Sequence, residues 1–182
     1  EQQVLLKPAI VILSDYAKGL LSVEICQQII VQCHALKIPI IVDPKGNDYS
    51  KYSGATALTP NKKETAEACG TASDDAELIS KATKLKNCLN LQFLVITRGE
   101  EGISLIDNQA HLLPATAKQV FDVSGAGDTV IATLAAGLMH SLTPLESLQL
   151  ANVAAGVVVG KVGTVPITRD DLIEALTTEQ TT

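Results

Sequence analysis

Asp122-Val123-Ser124-Gly125-Ala126-Gly127-Asp128-Thr129 lies between a β-type run, residues 119–121, and an apolar run, residues 130–138, that predicts a long helix. A strand, a glycine-rich turn and a helix start together form an anion site, because the N–H groups of the first helical turn are unpaired and the helix dipole favours negative charge. A carboxylate in that turn would repel a bound phosphate. We therefore expect Asp128 to accept a proton from a nucleophile that attacks phosphorus.

The same stretch also has a simpler interpretation, in which Asp and Ser residues only cap a helix after a glycine turn. Two other phosphate-binding patterns are excluded. The dinucleotide pattern G-x-G-x-x-G fails because Val130 stands at the third glycine position, and the loop G-x-x-x-x-G-K-[ST] does not occur in the chain. A bound nucleotide would therefore be held in another way.

The composition favours a single α/β domain. The chain has 182 residues, of which 46% are apolar but only 3% aromatic, so the core must be built from Ile, Leu, Val and Ala. Such a core is typical of buried parallel strands. The net charge is −6, with acidic and basic residues interspersed. Because there is no basic stripe and few aromatic rings for stacking bases, we expect no nucleic-acid partner.

The sequence also predicts a cellular compartment. No apolar run reaches transmembrane length and the amino terminus carries no signal peptide, so we expect a cytoplasmic protein with no membrane partner. Cys26, Cys33, Cys69 and Cys88 form no C-x-x-C pair and are predicted to be reduced and structural. The three histidines are scattered, which argues against a metal site built from them. The chain opens at Glu1 rather than at Met, as a piece of a longer protein would.

The apolar pattern predicts strands that alternate with helices. Strands are predicted at residues 9–13, 40–42, 55–58 and 93–96, and a hairpin at residues 103–106 and 111–113 around a turn at 107–109. Helices are predicted at residues 20–36, from the cap residue Asn61 onward, at 74–89 with Ser73 as cap, at 130–138, at 145–159 and at 169–176 with Thr168 as cap.

A polar loop follows each of the four predicted parallel strands. The carboxyl ends of parallel strands share one edge of the sheet, and open α/β sheets bind their ligands there. We therefore expect the four loops to line one crevice, which residues 122–128 would join. These loops are residues 15–19, 43–46, 61–64 and 97–102.

Three motifs in this order resemble a known family, the ribokinase-like (PfkB) sugar kinases. The stretch from Asp122 to Asp128 resembles the carboxy-terminal signature of that family. Thr97-Arg-Gly-Glu-Glu-Gly102 resembles its T-x-G-x-x-G nucleotide loop, and Asn61-Lys-Lys-Glu64 resembles its N-x-x-E motif. The resemblance implies a three-layer α/β/α sandwich with a mostly parallel central sheet, here incomplete at its amino-terminal side.

Finer features resemble one subgroup, the D-glycero-β-D-manno-heptose 7-phosphate kinases, whose kinase domain is joined to an adenylyltransferase domain in lipopolysaccharide core synthesis. These features are Ser14-Asp-Tyr-Ala-Lys-Gly19, Val42-Asp-Pro-Lys-Gly46 and Ala154-Ala-Gly-Val-Val-Val-Gly-Lys-Val-Gly-Thr164. There are mild departures from the family pattern. Lys62 and Lys63 form a more basic pair than usual, and Val123 and Ser124 replace the commoner threonines.

The resemblance covers only part of a kinase domain. Residues 1–176 are expected to form the carboxy-terminal, nucleotide-binding part of one ribokinase-like domain, and residues 177–182 a frayed tail or the start of a linker. The amino-terminal part of the family supplies most of the sugar pocket and a β-sheet lid that often forms the dimer. A homodimer is therefore expected for the full-length protein.

The resemblance also implies a role for each matching residue, with ATP and Mg²⁺ as cofactors and a sugar phosphate as substrate. Asp128 would be the base that accepts the proton of the anomeric hydroxyl, and Gly125, Ala126 and Gly127 would supply the anion hole. The other assignments are as follows: Asn61, Lys62, Lys63 and Glu64 near the phosphates, with Glu64 acting indirectly on Mg²⁺; Thr97, Gly99 and Gly102 at the nucleotide; Asn152 and Ala155 at the adenine; and Asp15, Lys18 and Lys45 at a sugar or nucleotide phosphate.

Simpler interpretations stay open for several of these residues. Asn61 and Glu64 fit a capping box, residues 97–102 fit a tight turn, Lys18 and Lys45 fit solvated loop lysines, and Asn152 and Ala155 fit helix packing. Three functions are therefore compared. They are a heptose 7-phosphate kinase, a ribokinase-like kinase of another sugar or nucleoside, and a module that binds nucleotide without catalysis.

Overall fold

The computed structural model describes residues 7–117, 119–163 and 165–179. The chain divides into two compact units. The first unit comprises Glu1–Arg98 and Ser104–His111, and the second comprises Gly99–Ile103 and Leu112–Thr182.

The sheet contains six strands, which lie side by side in the order in which they occur in the chain. The first four neighbours, β1 to β4, pair in parallel, which confirms the expected α/β class with a mostly parallel sheet. The last two strands are joined by a three-residue turn, as the hairpin prediction required. The strands are β1 (Val11–Ser14), β2 (Ile40–Asp43), β3 (Ala57–Leu58), β4 (Phe93–Thr97), β5 (Ile103–Ile106) and β6 (Ala110–Leu113).

Three helices belong to the first unit: α1 (Val23–Leu36), α2 (Lys62–Cys69) and α3 (Asp75–Cys88). Helix α1 begins three residues later than predicted because the Ser22 hydroxyl accepts the Ile25 amide and caps it. The predicted cap of α3 is also corrected. Asp74, not Ser73, caps this helix by accepting the Glu77 amide at 2.8 Å, whereas Ser73 donates to the Glu77 carboxylate.

The core of the first unit is aliphatic, as the composition predicted. Its fully buried large side chains include Ile40, Ile41, Leu58, Leu94 and Ile96 from the strands, with Tyr52 beside them. Burying such side chains is the main favourable contribution to folding.

The cysteine prediction is only partly confirmed. The four residues are free thiols. Cys26 and Cys33 are buried on the inner face of α1, and burial raises the pKa of both thiols. Cys88 is exposed at the end of α3, so a structural role through burial is wrong for this residue.

The second unit is helical: α4 (Ala126–Met139), α5 (Pro144–Val159) and α6 (Arg169–Glu179). Helices α4 and α5 approach closely at Gly137, where a Cβ atom would lie 2.5 Å from Ser147 Oγ. Thr143 and Glu146 form a capping box at the start of α5. Thr168 caps α6 as predicted, but the helix continues three residues beyond Leu176.

Two predictions around the glycine-rich stretch are wrong. Residues 119–121 form no strand, because the Phe121 and Asp122 amides both donate to Val159 O at the end of α5 rather than to a neighbouring strand. The apolar helix does not begin at Val130. It begins at Ala126, so the glycine-rich turn itself supplies the first helical turn.

Candidate active site

The helix start at Gly125 has no side-chain cap. Gly125 is the residue before the first turn of α4 and adopts a left-handed conformation, with φ of 79°. Among the residues that the structure describes, no side-chain cap bonds the first-turn amides. Asp122, which could have capped the helix, instead accepts the Ser124 amide at 2.9 Å, and this bond lowers the pKa of its carboxyl group. The interpretation of Asp or Ser as the helix cap is therefore wrong.

The uncapped turn presents backbone donors at the surface. Gly127 and Asp128 occupy the second and third helical positions and are exposed. A Cβ atom at Gly127 would meet nothing within 4 Å, so the space on the side-chain side of this residue is open. The Ala126 amide differs, because it already donates to Val123 O at 3.2 Å. The arrangement offers an anion the amides at the helix start, with the Asp128 carboxylate in the same turn.

A cavity of about 570 Å³ lies in the second unit, in the volume range of small-molecule sites. One wall is α5, which presents Val153, Gly156 and Val157 at helical spacing, and Gly160 follows directly after the helix. The full lining is Thr116, Gln119, Phe121, Val153, Gly156, Val157, Gly160, Asp171, Glu174, Ala175 and Thr178.

Asn152 and Ala155, predicted at the adenine, do not line this cavity. The Asn152 side chain donates to Pro114 O at 2.7 Å, and the Asn152 carbonyl accepts from Thr116 Oγ1. Asn152 thus holds the chain segment that brings Thr116 into the lining. Gly156 lets this segment approach, because a Cβ there would lie 2.5 Å from Thr116 Oγ1. The sequence reasoning missed Gly156, although it stands in the quoted stretch 154–164.

A second cavity, of about 400 Å³, is lined by Asp128 itself. Its other lining residues are Gly125, Thr129, Ala132, Thr133, Val158, Val165, Pro166 and Ile167. Most of these side chains are apolar or hydroxylated, so the Asp128 carboxylate is the charged group of the lining. A hydroxyl group of a bound molecule in this cavity could reach a proton acceptor.

The two glycines of the T-x-G-x-x-G loop play different roles. Gly102, with φ of 92°, packs against backbone, and a Cβ there would lie 2.6 Å from the Ala115 amide nitrogen. Gly99 has φ of 62° and a Cβ there would meet nothing within 4 Å. Gly102 is therefore needed for the fold of the loop, whereas the space beside Gly99 is open to a ligand. Thr97 forms an isolated parallel bridge with Asn61.

Asn61 and Glu64 form the predicted capping box at the start of α2. The Asn61 side chain accepts the Glu64 amide, and Glu64 Oε2 accepts the Asn61 amide, both at 2.9 Å. Glu64 is buried, and its other oxygen accepts a hydrogen bond from Lys45 Nζ at 2.5 Å. This bond raises the pKa of Lys45. Glu64 therefore forms an ion pair with Lys45 and a capping box with Asn61.

Asp15 lies in a second polar cluster of the same unit. Its carboxylate accepts hydrogen bonds from Lys51 Nζ and Tyr52 OH, each at 2.6 Å, and from the Ala17 amide at 2.7 Å. Burial alone raises the pKa of Asp15, but these three bonds together outweigh it and hold the pKa below its ordinary value. The Lys45 amide also donates to Tyr52 OH. The sequence reasoning missed Lys51 and Tyr52, for which the sequence held no motif.

The remaining predicted cations lie at the surface. Lys18, Lys62 and Lys63 are exposed, and Lys63 forms a long ion pair with Glu67 at 3.8 Å. Lys62, Lys63 and Asn61 belong to the first unit, whereas Gly125 to Asp128 belong to the second.

Glu64, the predicted Mg²⁺ residue, is not free to coordinate the ion directly. Both Glu64 oxygens already accept hydrogen bonds, so direct coordination would require displacing Lys45 or opening the capping box. Within residues 7–117, 119–163 and 165–179, no three His, Cys, Asp or Glu side chains come together as a metal cluster. Within the same ranges, no helix combines the length and apolar character needed to cross a bilayer.

The sequence matches a family described as "pfkB family carbohydrate kinase" over residues 1–170. It is 61% identical over 177 residues to the "Bifunctional protein HldE" of Methylobacillus flagellatus, covering 96% of this chain and 36% of that relative. The protein of the same name from Magnetococcus marinus is 51% identical, with 96% and 37% covered. The chain thus spans little more than a third of these relatives.

Solved structures of low sequence identity show the same fold. The ribokinase of Arabidopsis thaliana, complexed with ribose and ATP, superposes with a TM-score of 0.83 at 22% identity, over 96% of this chain and 57% of that one. Phosphofructokinase-2 from Escherichia coli, in complex with potassium, gives 0.85 at 19% identity, over 98% and 60%. The ribokinase-like fold predicted from the sequence is confirmed.

Proposed function

Because the chain belongs to the pfkB family of carbohydrate kinases, we propose that the full-length protein transfers the γ-phosphoryl group of ATP to the anomeric hydroxyl of D-glycero-β-D-manno-heptose 7-phosphate. The product is the 1,7-bisphosphate, on the route to ADP-heptose and the lipopolysaccharide core. Support comes from the subgroup motifs in the sequence and from the relatives named bifunctional HldE. The chain would supply the nucleotide-binding and catalytic-base portion.

The observation that carries this proposal is the uncapped first turn of α4. Its open amides suit phosphoryl oxygens, and Asp128 stands in the same turn beside a cavity of its own. Phe121, which lines the larger cavity, precedes Gly125 by four residues, a span of at most about 14 Å. A nucleoside diphosphate can bridge such a distance, with its base in the larger cavity and its phosphates at the helix start.

In the proposed reaction, Asp128 accepts the proton of the anomeric hydroxyl as that oxygen forms a bond to the γ-phosphorus. The bond between this phosphorus and the bridging oxygen breaks, and ADP leaves. The amides of Gly127 and Asp128 stabilise the charge on the transferring oxygens without reorganisation, since the helix already fixes their direction. Mg²⁺, when bound, neutralises phosphate charge.

The polar residues of the first unit have proposed roles on the phosphate side. Asn61 and Glu64 are held rigidly by their capping box, and Lys45 is held on Glu64. Glu64 would act on Mg²⁺ through water, because both of its oxygens accept hydrogen bonds from the protein. Asp15 would act through Lys51 and Tyr52, which it orients, rather than by contact with substrate.

The test uses the protein expressed from its complete reading frame. We expect one-site binding of Mg·ADP by calorimetry, and ATP-dependent phosphorylation of the heptose phosphate in preference to a panel of other sugars and nucleosides. Asp128→Asn should lower turnover about 10²- to 10⁴-fold while nucleotide affinity stays nearly unchanged. Asp170→Asn, which removes an exposed carboxylate from α6, is the control.

Other outcomes identify the alternatives. Preference for a different sugar or nucleoside would overturn the substrate assignment but keep the kinase. Nucleotide binding without turnover on any acceptor would indicate a non-catalytic module. Normal turnover of Asp128→Asn would remove Asp128 from the role of base.

A further inference from the structure

The larger cavity of the second unit has five polar side chains in its lining: Thr116, Gln119, Asp171, Glu174 and Thr178. Three of them are already engaged within the unit. Thr116 donates to Asn152 O, Thr178 donates to Glu174 O, and Asp171 accepts from Lys161 and from Thr168. The carboxylate of Glu174 accepts no hydrogen bond from the residues that the structure describes.

Helix α6 is anchored at the end where it meets the cavity. Lys161 Nζ lies 2.7 Å from Asp171 Oδ2, and this oxygen also accepts the Thr168 amide at 2.9 Å and the Thr168 hydroxyl at 2.6 Å. Glu174 follows Asp171 by three residues, which places it on the same helix face one turn later. The anchor therefore holds the backbone of α6 at Glu174, whose exposed side chain belongs to the cavity lining.

The α5 side of the cavity is apolar. Val153 and Val157 contribute aliphatic side chains to the lining, while Thr116 packs against the backbone at Gly156. Such a surface accommodates the face of a planar ring, and Phe121 adds an aromatic ring to the lining. A planar ligand seated against α5 would direct its edge to the remaining walls, one of which carries Glu174.

We propose that Glu174 determines base specificity, by accepting a hydrogen bond from the exocyclic amino group of adenine. This inference rests on the proposed function, in which the larger cavity receives the base of ATP. An ionised carboxylate has acceptors and no donor, so it attracts the amino group at the purine 6-position and repels a carbonyl oxygen there. Adenine carries the amino group, whereas hypoxanthine and guanine carry the carbonyl.

The chemistry predicts a discrimination that can be measured without turnover. ADP and IDP differ at the purine 6-position and at the adjacent N1, which is an acceptor in adenine and an N–H donor in hypoxanthine, so their binding ratio reports on the group that faces this edge of the base. A carboxylate near the nucleotide also repels the phosphates, but it repels those of ADP and IDP equally. The ratio of the two dissociation constants is therefore independent of that repulsion.

The experiment is calorimetric titration of the protein from its complete reading frame with Mg·ADP and with Mg·IDP. We expect the wild-type protein to bind ADP about tenfold more tightly than IDP. In Glu174→Gln the amide can turn to donate or accept, so the ratio should fall to about two or less, mainly because IDP binds better. Asp170→Asn removes the same charge from the same helix outside the cavity lining, and should leave the ratio unchanged.

Each outcome either supports or overturns the assignment of base specificity to Glu174. A wild-type preference that persists in Glu174→Gln, or that falls equally in Asp170→Asn, would overturn the assignment to Glu174 while the kinase proposal stands. Equal wild-type affinity for ADP and IDP would overturn it as well. A folded protein that binds neither nucleotide would refute the proposed function, and the base assignment with it. Circular dichroism of the variants checks that they are folded.

Discussion

Lys45 Nζ lies 2.5 Å from Glu64 Oε1 and joins a half-exposed lysine to a buried glutamate. The pair ties the loop after β2 to the first turn of α2, where the second oxygen of Glu64 closes the capping box with the Asn61 amide. Glu64 therefore has one structural partner in its own turn and one cation from a neighbouring strand end. The loss of each partner should have a separate, measurable effect.

Removing the Lys45 ammonium should cost little stability but reveal coupling to Glu64. Because half of the Lys45 side chain is exposed, water screens the pair, and Lys45→Met should lower the free energy of unfolding by only about 1 kcal/mol. Urea unfolding of Lys45→Met, Glu64→Gln and the double variant should give a coupling energy of about 0.5–1 kcal/mol. Lys18→Met, at an exposed lysine after β1, is the control for losing a charge. Strict additivity of the two substitutions would contradict an interaction between the pair.

The Asp15 cluster should make stability depend on pH in the acid range. The folded-state pKa of Asp15 lies below its ordinary value of 3.8, so the ionised carboxylate stabilises the fold above that pH. This contribution is lost as the pH falls through the folded-state pKa. At pH 7, Asp15→Asn should lower the free energy of unfolding by about 3 kcal/mol, because the charge that pairs with Lys51 is lost and one of the two acceptor oxygens becomes an NH₂ donor.

The difference between wild type and Asp15→Asn is measured by urea unfolding from pH 7 downward. It should be constant while the pH stays well above 3.8 and should shrink below that value. Glu100→Gln, at an exposed carboxylate, should show no such pH-dependent difference. A difference that grows as the pH falls would mean that burial, and not the hydrogen bonds, dominates the pKa of Asp15.

Much of the fold was predictable because short buried strands leave a strong pattern. The runs around Ile41 and Val95 are apolar on both faces, as strands of a parallel sheet must be. The capping box of Asn61 and Glu64 was also predictable, since both partners lie within one helical turn. Local chemistry of this kind depends on sequence spacing alone.

What could not be predicted depends on contacts between distant residues. The β-like residues 119–121 bind the carbonyl of Val159, and no local pattern distinguishes this from strand pairing. Lys51 and Tyr52 converge on Asp15 across more than thirty positions of sequence. The bond from the Asn152 side chain to Pro114 O and the place of Gly156 in the cavity lining likewise depend on distant residues, and the assignment of Asn152 to the adenine stays a prediction.

Gly127→Ala should separate folding from phosphate binding. The position is helical and a Cβ there meets nothing within 4 Å, so alanine should raise the free energy of unfolding by about 0.5 kcal/mol through its better helix propensity. The same methyl group obstructs the approach of an anion to the amide. Affinity for Mg·ADP should fall about tenfold, as expected for the loss of a hydrogen bond to a charged group.

Adenosine is the matched ligand for this variant, because it has the same base and no phosphate. Calorimetry should show equal adenosine affinity in wild type and Gly127→Ala, while ADP affinity falls. Equal losses for both ligands would indicate that the substitution disturbs the base cavity, and unchanged ADP affinity would place the phosphates elsewhere than at the helix start.

The two glycines of the T-x-G-x-x-G loop should respond oppositely to alanine. At Gly102 a Cβ would lie 2.6 and 2.7 Å from backbone atoms of Ala115 and Pro114, so Gly102→Ala must shift the backbone and should cost about 3 kcal/mol or more. At Gly99 the space is open and only the left-handed φ of 62° opposes alanine, so Gly99→Ala should cost about 1 kcal/mol. Urea unfolding measures both changes in the free energy of unfolding.

Titration of Gly99→Ala with Mg·ADP tests whether Gly99 also contacts the nucleotide. If the variant is nearly as stable as wild type but binds Mg·ADP more weakly, the nucleotide lies beside Gly99. Wild-type affinity for Mg·ADP in Gly99→Ala would mean that Gly99 serves only the turn. Equal destabilisation by the two substitutions would mean that the positive φ, and not the contact with residues 114–115, determines the loss of stability in Gly102→Ala.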